Sequence, residues 1–478
     1  MKPSGFKREV DRRAFLRRAI GSALGGAALY GPLGSLNLIA AAAQAAQGGT
    51  FSDYKALVCV FLYGGNDSFN TVVPHDPTRY AVYAATRPAM AIAQSEVAAQ
   101  ALSPQPFAAG APGGPASDGG SYGLHPSMPE LRQLFNDQRM AVVANVGTLL
   151  GPITRAQYQA GSHPRPPQLF SHDDQANYWQ TSRPDDANAN GWGGRIADLL
   201  HAVNPNTQLP MTLSLSSQSL FQRGAAIDQY VVGADAIESL AYLNVYQNEV
   251  GAQTFHALMA EGVQSHLFER AYAGATRRAI DTYQMLQQAL DPLPVWATPF
   301  PESALGRQLR QVANLIHARG PGALDMRRQL FFVSQGGYDT HDLQLATHAA
   351  ILRDLSQSLA AFQAAMLQMG VADQVTAFTA SDFGRTLSTN GDGTDHGWGG
   401  HHFVLGGAVR GGRFFGQMPS LAQNANPDDA GYGQIIPTTS VDQYAATLAA
   451  WFGVDSSGLA DIFPNLGLYS TPDLGFMG

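Results

Sequence analysis

Four apolar runs constrain this chain more than any other feature. Each is rich in β-favouring residues, and three of them empty directly into glycine and polar residues. They are ALVCVFLYGGNDSFN from Ala56, MAVVANVG at 140–147, LFFVSQGGYDTHD at 330–342 and VTAFTASDFGR at 375–385. None alternates polar with apolar, so each reads as a strand buried on both faces. Amphipathic segments separate them: PSMPELRQLFNDQ at 126–138, a long helical tract from about Ile237 to Leu290, and HAAILRDLSQSLAAFQAAMLQMG at 348–370. VDQYAATLAAWFGV at 441–454 reads as a final helix. Buried strands alternating with helices predict an α/β fold, a mostly parallel central sheet flanked by helices. The Ala/Pro/Gly/Ser-rich stretch from Pro88 to Gly123 reads as a long surface loop, and 423–437 as a loop or hairpin. No stretch has the composition of a linker, which leaves one large domain over 46–478, with the tract at 237–290 as a helical insertion or cap.

The N-terminus has a different character. DRRAFLRRAI is followed by a weakly apolar Gly/Ala-rich stretch and Ala-x-Ala cleavage chemistry at Ala43-Gln44-Ala45. A basic segment, a modest apolar segment and small residues make residues 1–45 a signal peptide. Arg12-Arg13 followed by Phe15-Leu16 is similar to the twin-arginine (Tat) signal, with Asp11 where Ser or Thr is commoner. Its glycines and Pro32 make it a poor membrane anchor, so the mature form is expected to have no stable transmembrane span. Export through the Tat translocase implies a periplasmic or secreted destination for a protein that folds before it crosses.

The whole chain carries 29 Lys/Arg against 37 Asp/Glu, a formal charge of −8. Removing the first 45 residues leaves 29 − 7 basic and 37 − 2 acidic residues, a balance of about −13. Such a surface excludes nucleic acid as the expected partner, because phosphates are met by clustered Lys and Arg. The lone Cys59 excludes an internal disulfide.

Chemistry-bearing residues gather just beyond the strand runs, where open parallel sheets bind ligands. Asp67 follows the first run, Asp339 and His341 the third, Asp382 the fourth, and Asp395-His396 lies shortly downstream. Carboxylates and imidazoles without thiolates suit a divalent metal such as Zn²⁺, Mn²⁺, Mg²⁺ or Ca²⁺. Each residue has a plainer alternative. Asp67 or Asp382 can cap a helix, Asp339 can sit in a turn, and Asp395-His396 can lie in an exposed loop. His401-His402 alternate into a strand, so at most one faces the site, and His125 before a proline suits a structural role. Ser171 in QLFSHDDQANYWQ can be a nucleophile or, with Asp174, the start of a capped helix. Arg385 can clamp an anionic substrate or pair with a carboxylate.

The twin-arginine signal, VFLYGGNDSFNTVVP, LHPSMPEL, QLFSHDDQANYWQ, NGWGGRIADLL, SQGGYDTHD, SDFGRT and GTDHGWGGHHFVLGGAV together resemble the exported bacterial family known as domain of unknown function 1501, over about residues 53–475. That family is grouped with the alkaline phosphatase-like superfamily of phosphatases, sulfatases and phosphomutases. The resemblance implies an alkaline phosphatase-like α/β fold with a metal site at the strand ends. Asp67 resembles the superfamily's first-strand ligand, and Asp339 with His341 its Asp…His pair, here with one intervening residue rather than three. Asp382 or Asp395-His396 resembles the later Asp-His element, and Ser171-His172 falls where the nucleophile loop lies. The implied activity is metal-dependent hydrolysis of small anionic phosphate or sulfate esters. The alternative is a non-catalytic scaffold or binding protein that retains a structural cation.

Overall fold

The computed structural model describes residues 51–107, 112–235, 249–260, 262–423 and 425–478. The predicted signal peptide, residues 1–45, therefore lies outside the described residues, as does 237–248 of the helical tract. Among the described residues no helix is long and apolar enough to cross a membrane.

The strands in chain order are β1 (Lys55–Leu62), β2 (Val72–Pro74), β3 (Tyr122–Leu124), β4 (Met140–Gly147), β5 (Thr212–Ser214), β6 (Tyr230–Val231), β7 (Arg328–Gln335), β8 (Val375–Ser381), β9 (Arg385–Thr389), β10 (Thr394–His396), β11 (Gly400–Leu405), β12 (Arg413–Phe415) and β13 (Thr439–Ser440). Nine of them form one sheet in the order β12-β4-β11-β8-β1-β7-β5-β6, with β13 pairing β4. All four apolar runs are sheet strands, and their pairings are parallel except where β11 intervenes. The sequence reading placed no antiparallel strand in the sheet. The chain leaves β8, passes through the β9–β10 hairpin and returns as β11 between β4 and β8. As β11 runs antiparallel to both, β4 and β8 point the same way, and the sheet has one common C-terminal end.

β1 is the central strand, buried from Ala56 to Leu62. Two helical layers cover it, as a strand apolar on both sides requires. Pro129–Asn136, Ala304–His317 and Gln344–Gln368 pack together in one layer; Trp192–Leu200, Val441–Phe452 and Ser456–Ile462 pack in the other. Each fully buried Val, Leu or Phe contributes about 1.5–3 kcal/mol. A charge at Val58, which is wholly inaccessible, would abolish folding rather than weaken it. The tract beyond residue 248 resolves into the helices Glu249–Met259 and Leu267–Ala289. The stretch 88–123 is not simply a surface loop. It holds a short helix, Gln94–Ala99, and β3, and it buries Met90, Ile92, Val97 and Leu102. Its composition concealed this, because single apolar residues spaced by Ala, Gly and Pro carry no period.

Candidate metal centre

The strand ends converge on Gly64. This residue has φ +115°, and a Cβ on it would lie 2.3 Å from the Asp339 backbone nitrogen. Only glycine fits, and it locks the β1 exit against the loop after β7. The Gly64 N–H donates to Asp382 Oδ2 at 2.9 Å, so the β8 exit is tied to the same point. The hairpin β9–β10 then places His396 opposite Arg385, and the Thr394 N–H donates to the Thr340 carbonyl at 3.1 Å. The helix His172–Thr181 brings its first residue in from a separate loop.

His172, Asp339 and His396 form a compact donor triangle. Its edges are 3.1 Å between the two Nε2 atoms, 3.3 Å from His172 Nε2 to Asp339 Oδ1 and 3.4 Å from His396 Nε2 to Asp339 Oδ1. Bonds of about 2.0–2.1 Å around a tetrahedral cation set donors about 3.3–3.4 Å apart. His341 stands at the open side, with Nε2 2.9 Å from Asp339 Oδ1 and 3.0 Å from His396 Nε2.

The far side of each ring fixes its tautomer. His172 Nδ1 faces Asp382 Oδ2 at 2.6 Å, His396 Nδ1 faces the Phe170 carbonyl at 2.6 Å, and His341 Nδ1 faces Asp395 Oδ1 at 3.1 Å. Each of these oxygens can only accept, so each Nδ1 carries the proton and each Nε2 presents a lone pair inward. Converging lone pairs beside a carboxylate repel one another unless a cation or a proton lies between them. The donor set therefore fits a metal, and carboxylate or carbonyl support behind each imidazole is what metal-bound histidines use. The Phe383 ring packs against the imidazoles of His172 and His396, at 4.7 and 4.9 Å between centroids.

The electrostatics follow from the same contacts. The hydrogen bond to Asp382 raises the His172 pKa against the opposing effect of burial, and Asp339 adds to the rise. Burial lowers that of His396, only partly offset by the bond to Phe170. Burial alone would raise Asp339, but Arg385, His172 and His341 outweigh it and hold the carboxyl below its usual range.

The residues expected from sequence divide into three groups. Asp339, His341 and His396 meet at the centre. Asp382 and Asp395 are not at its mouth but behind histidines, as hydrogen-bond acceptors. Asp67 is elsewhere, which corrects its expected place as a ligand. It is fully buried; Oδ1 accepts from the Phe69 N–H at 3.2 Å, while Oδ2 is paired with Arg87 at 2.8 Å and accepts from Gln344. A helix begins one residue later, Ser68–Thr71, and its cap claims the carboxylate.

Arg385 is also fully buried. Its donors serve Asp339 Oδ1 at 2.6 Å, the Gly64 carbonyl at 3.2 Å, Thr394 Oγ1 at 3.2 Å and the Thr394 carbonyl. Four of its five N–H groups are thus spent on the protein, and it positions Asp339 rather than clamping a substrate. Ser171 Oγ donates to Asp174 Oδ2 at 2.6 Å at the N-cap of its helix. His172, its neighbour, supplies the imidazole that sequence reasoning passed over. The available signal was His172-Asp173-Asp174 at a helix start after a proline-rich loop.

His401 and His402 both lie buried in β11 and neither reaches the centre. His401 Nδ1 accepts from the Asn145 N–H at 3.1 Å, and His402 packs on Trp179. His125 Nδ1 accepts from the Ser127 N–H at 3.0 Å, a structural turn.

Several solved structures are similar at low levels. Ps i-CgsB in complex with k-i-k-neocarrahexaose has 10% identity and a TM-score of 0.36 over 88% of this chain and 78% of that one. The lipoteichoic acid synthase LtaP from Listeria monocytogenes has 9%, a TM-score of 0.33, and 88% and 80% coverage. PsFucS1 sulfatase from Pseudoalteromonas sp. has 11%, a TM-score of 0.31, and 89% and 77% coverage. Likenesses of this size carry no argument about chemistry, which rests on the side chains themselves. No curated protein matches the chain. The profile of one family, described as "Protein of unknown function (DUF1501)", matches residues 54–457, and the chain belongs to that family.

Proposed function

We propose that this protein is an exported, metal-dependent hydrolase of phosphate or sulfate esters, working at the His172–Asp339–His396 centre. The observation that carries the reading is the set of imidazoles whose Nδ1 atoms are held by acceptors while their Nε2 atoms converge to 3.0–3.1 Å around Asp339. Two imidazoles beside one carboxylate favour Zn²⁺ or Mn²⁺ over Mg²⁺ or Ca²⁺, which prefer oxygen donors. A divalent cation there supplies charge to polarise an ester oxygen and to acidify a nearby water. Asp382 and the Phe170 carbonyl orient the rings of His172 and His396, and Arg385 holds Asp339. His341 is the exposed group of the set. Asp395 orients it, leaving Nε2 to take a proton from the attacking group and return it to the leaving oxygen. With Ser171 bonded to Asp174, water is the better supported attacker and Ser171 the second candidate. The twin-arginine segment supports folding and metal uptake before transfer to the periplasm.

Metal analysis of the purified protein, followed by turnover of aryl phosphate and aryl sulfate, tests this. His396→Ala should lose both metal and turnover, while His341→Ala should keep the metal and lose turnover. A second reading is a non-catalytic exported scaffold with a structural cation, favoured by the engagement of both Ser171 and Arg385 within the protein. Stoichiometric metal without turnover of either ester selects it, and a metal-free protein defeats both.

A further inference from the structure

A cleft of about 760 Å³ opens beside the centre. It lies at the C-terminal ends of β4 and β12, the same end of the sheet as Asp339 and Asp382. β4 stands two strands from β8 in the sheet order and β12 three, so the cleft is roughly 10–14 Å to one side of Asp382. Its volume is in the range of small-ligand sites. The helix Arg155–Ala160 forms part of the wall through Gln157. The next residue, Tyr158, packs on Trp398 at 5.8 Å between rings, two positions after His396.

Among the described residues the lining contains no Asp, Glu, Lys, Arg or His. In a chain with 37 acidic and 29 basic residues, an uncharged cleft next to a cluster of titratable groups narrows the ligand. A phosphate or sulfate would find no cation there. One open aromatic face is present: Phe107 is 69% exposed, while Phe415 and Tyr469 line the cleft as buried rings. Gly113 and Gly114 let the chain cross these rings, since a Cβ on either would lie 2.5 Å from Phe415 or Phe107. Between the rings are neutral hydrogen-bonding side chains. Gln417 and Ser470 are exposed and make no side-chain bond among the described residues, so their amide and hydroxyl are free for a ligand. A purely apolar ligand would strip water from these groups without replacing it. A peptide adding to the edge strand β12 is blocked, because Gly114 already pairs with Phe414 on both sides, at 2.7 and 3.2 Å.

We propose that this cleft binds a neutral saccharide chain, with a sugar face on the Phe107 ring and its hydroxyls on Gln417 and Ser470. The proposal goes beyond ester hydrolysis and does not depend on turnover at the metal centre. Titration calorimetry of the intact protein with maltohexaose, cellohexaose and N-acetylchitohexaose tests it. At least one should bind saturably, and Gln417→Ala and Phe107→Ala should each weaken that binding at least fivefold. Both residues are exposed, and melting curves identify any variant that fails to fold. His396→Ala should bind the same sugar as the unmodified protein, which keeps this outcome separate from failure of the hydrolase reading. Absence of binding by all three hexasaccharides overturns the proposal, as does binding that neither cleft variant changes.

Discussion

Replacing Asp382 with Asn removes one negative charge from behind His172 and leaves the ring's other neighbours in place. In the native protein Asp382 Oδ2 accepts from His172 Nδ1 at 2.6 Å and from the Gly64 N–H at 2.9 Å. An asparagine carbonyl can occupy that position with weaker acceptance. Loss of outer support of this type costs metal affinity about 10–100-fold, or about 1.4–2.7 kcal/mol. The pH dependence is the sharper part. Without metal, Asp382 holds the His172 pKa above 6.5, so a cation binding His172 must first displace that proton. In Asp382→Asn this competition weakens because the imidazole becomes more acidic. The affinity gap should therefore be wider at pH 8.5 than at pH 6, because protons compete less for His172 Nε2 as pH rises. It should narrow towards pH 6, by the factor that separates the two imidazole pKa values. Competition titration of Zn²⁺ against a chromophoric chelator at several pH values measures both effects. An equal gap at pH 6 and 8.5 would refute the acid–base coupling, and unchanged affinity at pH 8.5 would refute Asp382 as a support for the centre.

Asp67→Ala leaves Arg87 wholly buried without its charge partner, and breaking such a pair costs about 3–5 kcal/mol. The variant should melt much lower yet bind metal stoichiometrically while folded, as equilibrium denaturation and metal analysis would record. Ser171→Ala should keep turnover within about threefold; a fall of a thousandfold or more would make the hydroxyl the nucleophile. Burial lowers the pKa of His125 and His402 to about 3 and of His348 and His401 to about 4. Their contribution to stability is complete above about pH 6.5 and is lost as pH falls, each adding a slope of up to about 1.4 kcal/mol per pH unit. Denaturation midpoints should thus drop steeply between pH 6 and 4, and a flat profile there would contradict neutral buried imidazoles.

The large sheet was legible because fully buried strands write an unmistakable pattern. MAVVANVG coincides with β4 residue for residue, and the glycines at the exits of β1 and β7 marked where donors would gather. What sequence could not supply was the direction in which each donor faces. Asp67 and Asp339 look alike as Gly-Gly-x-Asp, in GGND and GGYD. One begins a helix and turns into the core, while the other is the middle residue of a turn in which the Thr340 N–H reaches back to the Tyr338 carbonyl. His172 was overlooked for a related reason: it belongs to no strand end, and its approach depends on contacts across more than 200 residues to Asp382 and His396.

The two aspartates are nevertheless joined. Gln344 donates to Asp67 and accepts from Thr394 Oγ1 at 2.7 Å; the same Thr394 oxygen accepts from Arg385 Nε at 3.2 Å, and Arg385 reaches Asp339 at 2.6 Å. The buried Asp67–Arg87 pair is thus the far end of a hydrogen-bonded chain whose near end fixes the only carboxylate in the donor triangle. Arg385 is fully buried, and its charge is matched by Asp339, which is half-exposed at the mouth of the centre. That coupling lets a carboxylate remain ionised and immobile beside imidazoles at the edge of solvent. It is also why a residue that resembles a ligand in sequence supports one from behind the wall.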